Sequence, residues 1–114
     1  MRKKVSIVTP VFNEEENLCE FYTRLTKVMS ELAYDYDIIF VDDGSRDASA
    51  AILYDLSQKD EHVQAFLLSR NFGHQMALTC GIDHAEGDVV ITMDGDLQHP
   101  PELIPELLNR WEAG

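Results

Sequence analysis

Two aspartates that flank a glycine, Asp94 and Asp96, follow the apolar run 89–93. Of all the residues in this chain, these two have the type and spacing that most clearly indicate a chemical role. Side chains of an extended strand alternate between its two faces, so residues two apart leave the end of the strand on the same side. Carboxylates held that close repel each other unless a cation lies between them. Their hard oxygen atoms predict a site for Mg²⁺ or Mn²⁺.

The same triplet also occurs in solvated turns, so the prediction depends on the rest of the chain. A second polar strand end follows the apolar run 38–41 and contains Asp42 and Asp43. A third follows the run 5–9 and contains Glu14. Three polar strand ends indicate one shared site, because the carboxyl ends of parallel strands meet at one edge of a sheet.

Short apolar runs alternate with helical periodicity along the chain, which predicts an α/β fold with a mostly parallel sheet of four strands flanked by helices. The predicted strands cover 4–9, 37–41, 63–68 and 88–93, and the predicted helices cover 15–32, a segment capped by Ser45 or Asp47, 74–85 and 100–111. The helix over 74–85 is expected to be largely buried. Pro105 is expected to bend the start of the last helix.

Composition limits the partners of this chain. Its 114 residues suffice for one domain with a core, and 9 basic against 21 acidic residues give a formal net charge of −12. That charge argues against nucleic acid and anionic lipid as electrostatic partners.

Cys19 and Cys80 lack the spacing of a zinc or redox pair, and we expect both to be reduced, packed thiols of a cytoplasmic protein. No apolar run approaches the roughly 18 residues of a membrane span.

Four stretches, 5–18, 41–45, 68–75 and 93–102, resemble in order and spacing the first part of family 2 glycosyltransferases. The resemblance implies a single Rossmann-like domain of the GT-A fold over residues 1–114 that binds the nucleotide-sugar donor. Stretch 68–75 is similar to the subgroup that transfers a sugar to a polyprenyl phosphate, such as dolichyl-phosphate mannose synthases and bactoprenol glucosyltransferases. The implied partners are a UDP- or GDP-sugar and a lipid-phosphate acceptor, and the implied cofactor is Mg²⁺ or Mn²⁺.

Individual site residues follow from the same resemblance. It implies a nucleotide-binding set of Pro10, Phe12, Glu14, Asp42 and Asp94, and a metal-binding set of Asp94, Asp96 and Gln98. Phe12 stands where the family often has tyrosine, so a stacking face is kept but a hydroxyl is lost. Gly95 stands where alanine is more usual, a small change that is compatible with a metal site.

The resemblance also implies parts that these residues do not include. An acceptor-binding half, with the general base for inverting transfer, would follow residue 114, as would any membrane segments. The whole protein would then lie at the cytoplasmic face of a membrane. We expect the 114-residue chain to bind the donor without completing transfer, and to be able to form homo-oligomers through a strand edge near 88–93.

Two other functions fit a small acidic α/β chain. A phospho-receiver module would place its acidic pair after the first strand and would need a later lysine, whereas the last lysine here is Lys59. A sugar nucleotidyltransferase would carry a glycine-rich loop and a lysine after the first strand, where this chain has the non-glycine segment 10–14.

Asp43 is expected to serve only its turn. The histidines lack metal-ligand spacing and are expected to be exposed, although the last lies near the acidic triplet: His62, His74, His84 and His99.

Overall fold

A sheet of four parallel strands forms the framework of the computed structural model, which describes residues 2–98 and 100–114. The strands are β1 (Lys4–Val11), β2 (Asp35–Asp42), β3 (Val63–Leu67) and β4 (Val89–Thr92). They lie in the order β3-β2-β1-β4. The helices are α1 (Leu18–Ser30), α2 (Ser49–Lys59), α3 (His74–His84) and α4 (Ile104–Ala113). The predicted α/β class, with a parallel sheet flanked by helices, is confirmed.

The two central strands are buried on both faces, which explains their apolar sequences. Every residue of β1 from Val5 to Val11 is buried, and so is every residue of β2 from Asp37 to Asp42. The face covered by α1, α2 and α4 holds the larger core, which includes Phe21, Leu25, Phe40, Leu53 and Ile104. The face covered by α3 holds a smaller core of Val8, Ile39, Val41 and Ala77.

Helix α1 begins three residues later than the predicted range 15–32. Its buried residues recur at intervals of three and four, as the periodicity predicts: Leu18, Phe21, Leu25 and Met29. Residues 14–17 form a turn instead, in which the Asn17 N–H donates to the Glu14 carbonyl oxygen at 3.0 Å. The polar end of β1 is therefore a separate loop and not the first turn of the helix.

Helix α3 is less buried than its sequence predicts, and this expectation is wrong. Its buried residues are Ala77 and Gly81, whereas Met76 is 57% exposed and Ile82 is 44% exposed. The helix approaches the sheet through its small residues, because a Cβ added at Gly81 would overlap a methyl group of Val8. α3 packs on β1 and β2 with one side only, so the apolar side chains of its other side stay exposed.

Gly81→Ala should destabilise the fold even though alanine favours helices. The added methyl group would meet Val8 and would lie 3.3 Å from Cγ2 of Val41. Overpacking costs about 1–3 kcal/mol, which exceeds the ~1 kcal/mol that alanine gains over glycine in a helix. Urea denaturation should show a lower midpoint, whereas Thr79→Ala, at an exposed position of α3, should stay close to wild type. An unchanged midpoint for Gly81→Ala would show that α3 is free to move away from the sheet.

The predicted last helix is divided into two elements. A 3₁₀ turn covers Pro101–Leu103, and α4 begins at Ile104. Pro105 thus lies in the first turn of α4, where a missing N–H removes no intrahelical hydrogen bond, and the predicted helix is interrupted just before this proline. Trp111 packs against the larger core. Of the helices in the described residues, none combines the length and the apolar character that crossing a membrane requires.

Both cysteines are free thiols, but only one of them is packed. Cys80 is partly buried beside the smaller core. Cys19 is exposed, so the expectation that it packs is wrong. The reason is its place on α1, where the next residue after the buried Leu18 falls outside the apolar stripe.

Candidate functional site

A groove runs along the carboxyl ends of β1 and β4 and the start of α3. It consists of three cavities of about 190, 160 and 170 Å³ that share Pro10 and His74. The inner cavity is completed by Val11, Phe12, Asp43, Asn71, Gly73 and Ala77. The helix-side cavity is completed by Leu78, Thr92, Met93 and Asp94. The acidic cavity is completed by Phe12, Glu14, Asp94, Gly95 and Asp96. A cavity of about 370 Å³ at the opposite edge of the sheet is lined by other residues.

Most of the residues singled out in the sequence line this groove: Pro10, Phe12, Glu14, Asp94 and Asp96. They come together because β1 pairs with β4, so that the segments after both strands meet at one edge. Asp42 and Gln98 line none of the three cavities. The end of β2 reaches the groove through Asp43 instead.

Asp43 ties the end of β2 to the loop before α3. Its Oδ1 accepts a hydrogen bond from the Phe72 N–H at 2.8 Å. Its Oδ2 accepts from the Gly73 N–H at 3.1 Å and from Asn71 Nδ2 at 3.0 Å. The carboxylate therefore does more than serve its own turn, because it fixes the position at which α3 begins beside the groove.

Asp42 is buried and lines none of the cavities of the groove. The residue is 2% exposed, and its Oδ2 accepts a hydrogen bond from the Ser45 N–H at 3.0 Å. Its Oδ1 has no hydrogen-bond partner within the described part of the chain. Successive side chains of a strand point in opposite directions, which explains why Asp42 and Asp43 differ so much in their surroundings.

Gly44 lets the loops after β2 and β3 touch each other. Its φ of +70° is a conformation that side chains rarely adopt. A Cβ at this position would lie 2.7 Å from the carbonyl oxygen of Arg70 and still closer to backbone atoms of Arg70 and Asn71. Glycine is thus required here by close packing of two backbones as well as by the turn.

Phe12 and Glu14 are held at the groove by two serines that follow β2. The Asn13 N–H donates to Ser45 Oγ at 2.8 Å, and the Glu14 N–H donates to Ser49 Oγ at 2.9 Å. Phe12 is 43% exposed. Its ring therefore offers a face to a planar ligand while the loop that carries it is fixed.

Asp47 also connects the loop after β1 to the start of α2, through the Glu15 and Ser49 N–H groups. Burial raises the pKa of the Asp47 carboxyl, but its hydrogen bonds with Ser49 and with the Glu15 N–H outweigh burial, and the pKa lies below its ordinary value. The ionised group stabilises the fold at pH values above its unfolded pKa. That contribution is lost as the pH falls through the lower pKa of the folded state.

Asp94 and Asp96 lie in a turn that follows β4. The strand ends at Thr92, and Asp96 Oδ1 accepts a hydrogen bond from the Gln98 N–H at 3.1 Å. Leu97, inside this turn, has a φ of 66°. The two carboxylates share the acidic cavity because of this turn and not because of the alternation of side chains along a strand.

The acidic cavity fits a cation that is shared with a bound ligand. The side chain of Asp94 is 41% exposed, and its carboxylate oxygens are of the kind that Mg²⁺ and Mn²⁺ prefer. Within residues 2–98 and 100–114, no cluster of three or more His, Cys, Asp or Glu side chains is arranged to hold a metal ion. Mg²⁺ commonly binds through one or two carboxylates together with substrate phosphates, so two carboxylates suit such a site.

His74 contacts one of these carboxylates, which no sequence motif predicted. Its Nε2 lies 3.0 Å from Asp94 Oδ1. The contact exists because α3 begins beside the end of β4, so it depends on tertiary structure, and the resemblance of stretch 68–75, which contains His74, assigns this residue no role. His99, the histidine noted near the acidic triplet, lies outside the described residues.

The fold and the groove define a doubly wound α/β domain whose groove lies where such domains bind ligands. Its strand order reverses between β1 and β4, and the groove lies outside the carboxyl ends of the strands at that point. The chain matches the model of Glycosyl transferase family 2 over residues 6–114. It belongs to the family 2 glycosyltransferases, which confirms the resemblance noted in the sequence and excludes the phospho-receiver and nucleotidyltransferase alternatives.

Curated relatives carry glycosyltransferase names. The chain is 48% identical over 109 residues to the uncharacterized glycosyltransferase YkcC of Bacillus subtilis, a match that covers 96% of this chain and 34% of the relative. It is 50% identical over 111 residues to the undecaprenyl-phosphate 4-deoxy-4-formamido-L-arabinose transferase of Pseudomonas fluorescens, with 96% of this chain and 33% of the relative covered. The chain thus spans about a third of the length of these relatives.

Solved structures of glycosyltransferases share the fold. Glucosyl-3-phosphoglycerate synthase of Mycobacterium tuberculosis in complex with UDP superposes with a TM-score of 0.74 at 22% identity, over 98% of this chain and 41% of the synthase. The mannosyltransferase PcManGT of Pyrobaculum calidifontis in complex with GDP-Man and Mn²⁺ gives a TM-score of 0.70 at 21% identity, over 84% of this chain and 28% of that protein. The predicted GT-A fold is confirmed.

Proposed function

We propose that this chain is the donor-binding domain of a glycosyltransferase and that its groove binds a UDP- or GDP-sugar together with Mg²⁺ or Mn²⁺. The observation that carries the proposal is the acidic cavity, which joins the exposed ring of Phe12 to the carboxylates of Asp94 and Asp96. A nucleotide sugar presents a planar base at one end and a diphosphate at the other. The groove offers a surface for each.

The nucleoside belongs at the inner cavity in this proposal. Pro10 and Phe12 provide apolar surface on which a base can stack. A carboxylate has about four acceptor sites, and Asp43 uses three of them, which leaves one for an N–H group of the base. Glu14 borders the neighbouring cavity, where the ribose would lie. Asp42 belongs to the proposed nucleotide-binding set as well, and its buried carboxylate accepts a hydrogen bond from the Ser45 N–H.

The diphosphate belongs at the acidic cavity. Asp94 and Asp96 would hold the cation, with Gln98 beside them, and the cation would neutralise the charge that develops on the leaving nucleotide. A formal net charge of −12 opposes the binding of a bare diphosphate, which makes a bridging cation the natural partner. The complexes of the two solved glycosyltransferases with UDP, and with GDP-Man and Mn²⁺, support this ligand chemistry.

The acceptor we propose for the whole protein is a polyprenyl phosphate. The name of the Pseudomonas fluorescens relative and the resemblance of stretch 68–75 support it. A phosphate is already anionic at neutral pH, so its transfer reaction depends on positioning more than on proton removal. The general base or positioning groups would lie beyond residue 114, and the whole protein would work at the cytoplasmic face of a membrane.

Calorimetric titration tests the donor site. Wild-type chain should bind UDP or GDP in the presence of Mn²⁺ and lose most of that affinity in EDTA, because the carboxylates alone repel the diphosphate. Asp96→Ala should lose the metal dependence and change its melting temperature little, since relief of the repulsion between neighbouring carboxylates offsets loss of the exposed hydrogen bond from the Gln98 N–H.

Asp83→Ala provides the control, because it removes an exposed carboxylate from α3 and should change neither property. Equal affinity with and without Mn²⁺ in the wild type would exclude the proposed role of Asp94 and Asp96. A large fall in the melting temperature of Asp96→Ala would assign that residue a structural role.

The acceptor is tested on the longer protein of the same gene. A radiolabelled nucleotide sugar should pass its label to polyprenyl phosphate and not to the matching polyprenol, because the phosphate supplies the nucleophilic oxygen. Labelling of both lipids, or of neither, would contradict a lipid-phosphate acceptor and would leave the donor-site titration as a separate result.

A further inference from the structure

His74 occupies the centre of the groove. It and Pro10 are the two residues that line all three cavities, and of these two only the histidine has a side chain that can form hydrogen bonds. Its Nε2 lies 3.0 Å from Asp94 Oδ1. No other hydrogen-bond partner of the Asp94 side chain is found among the described residues, so His74 is the group placed to orient that carboxylate, in a contact whose two side chains are 62% and 41% exposed.

The backbone that carries His74 is anchored firmly. It is the first residue of α3, and the two residues before it, Phe72 and Gly73, donate their N–H groups to the buried carboxylate of Asp43. The close approach at Gly44 holds the same loop from the other side. An imidazole on such a support can fix a partner that lies in a turn, as Asp94 does.

We propose that His74 is a positioning residue for Asp94. Its Nε2–H donates to Oδ1 of Asp94 and orients the carboxylate so that Oδ2 is presented to the cation of the nucleotide complex. The inference rests on the proposed function and deepens it by naming the residue that prepares the cation site. Hydrogen bonds to metal-binding side chains commonly change metal affinity by about 10–100-fold.

Two substitutions separate the hydrogen bond from the shape of the ring. His74→Phe keeps a ring of similar size and removes the donor, whereas His74→Gln removes the ring and keeps an N–H donor at a similar reach. Gln75→Ala is the matched control, because Gln75 is the next, exposed residue of α3 and lines no cavity of the groove. Electron paramagnetic resonance detects free Mn²⁺ and thereby measures the cation affinity. One series is run at saturating UDP and a second at saturating GDP. Calorimetry in EDTA measures the affinity for the nucleotide alone.

We expect His74→Phe to weaken Mn²⁺ binding by about 10-fold or more, and His74→Gln to restore it to within about threefold of wild type. Affinity for the nucleotide in EDTA should be the same in all four proteins. Unchanged Mn²⁺ affinity in His74→Phe, or equal losses in both variants, would overturn the positioning role. If the wild type shows no Mn²⁺-dependent nucleotide binding, the proposed function itself fails, and this inference fails with it.

Discussion

Replacing Asp43 with asparagine should lower the free energy of unfolding by about 3 kcal/mol, because a buried donor left without its charged acceptor costs about 1–3 kcal/mol. The carboxylate accepts from three donors with two oxygens. An asparagine has one oxygen and one NH₂ group, so in either orientation at least one N–H of Phe72 or Gly73 faces another donor. The start of α3 would lose its anchor, and nucleotide affinity should fall at least tenfold.

The matched change at the neighbouring residue, Asp42→Asn, distinguishes this effect from the general cost of altering a buried acid. Asp42 accepts one hydrogen bond, from the Ser45 N–H, and asparagine keeps an oxygen for it. We therefore expect a loss of no more than about 1 kcal/mol. Urea denaturation and calorimetric titration measure both variants. Equal destabilisation of the two would show that the loop before α3 does not depend on Asp43.

Gly44→Ala should be the most damaging addition of a single methyl group in this chain. The left-handed conformation at φ +70° costs a side chain about 1–2 kcal/mol, and overpacking adds about 1–3 kcal/mol. The atoms in the way belong to the backbone of Arg70 and Asn71, so no side chain can rotate to make room. A loss of about 3 kcal/mol or more, with loss of nucleotide binding, is the expected result.

Gly95→Ala is the control for this prediction. A Cβ at Gly95 would have its nearest neighbours at 3.6 Å, an ordinary contact distance: Leu18, Thr9 and Val11. The variant should stay within about 0.5 kcal/mol of wild type, as substitutions without a specific mechanism usually do. If the urea midpoints of Gly44→Ala and Gly95→Ala coincide, the two loops are not in fixed contact.

Much of the fold could be predicted because burial leaves a period in the sequence. The strands were placed to within two residues at either end, because runs of apolar and β-branched residues bounded by polar ones mark them. The exposure of α3 could not be predicted, because an apolar helix looks the same in sequence whether one or both of its sides are covered. Met76 and Ile82, which are apolar and exposed, lie on the side of α3 that does not pack on the sheet.

The candidate site was predictable where it depends on strand ends and unpredictable where it depends on contacts between loops. Asp94 and Asp96 stand out as a pair within three residues. His74 and Asp43 do not, because their partners lie in other loops and no local spacing records the contact. The sequence therefore indicates the groups suited to binding a cation, whereas the groups that orient them become visible only in the fold.

The strand order has a consequence for the synthesis of the protein. β1 is translated first, yet Val5 pairs with Tyr36 on one side and with Val89 on the other. One edge of this apolar strand therefore stays open on the ribosome until β4 emerges. At about 5–20 residues per second, the wait lasts roughly 4–16 seconds, long compared with the collapse of a small chain. Throughout that interval the nascent protein presents a strand edge ready to pair with a neighbouring polysome product, and protection by a chaperone is most valuable then.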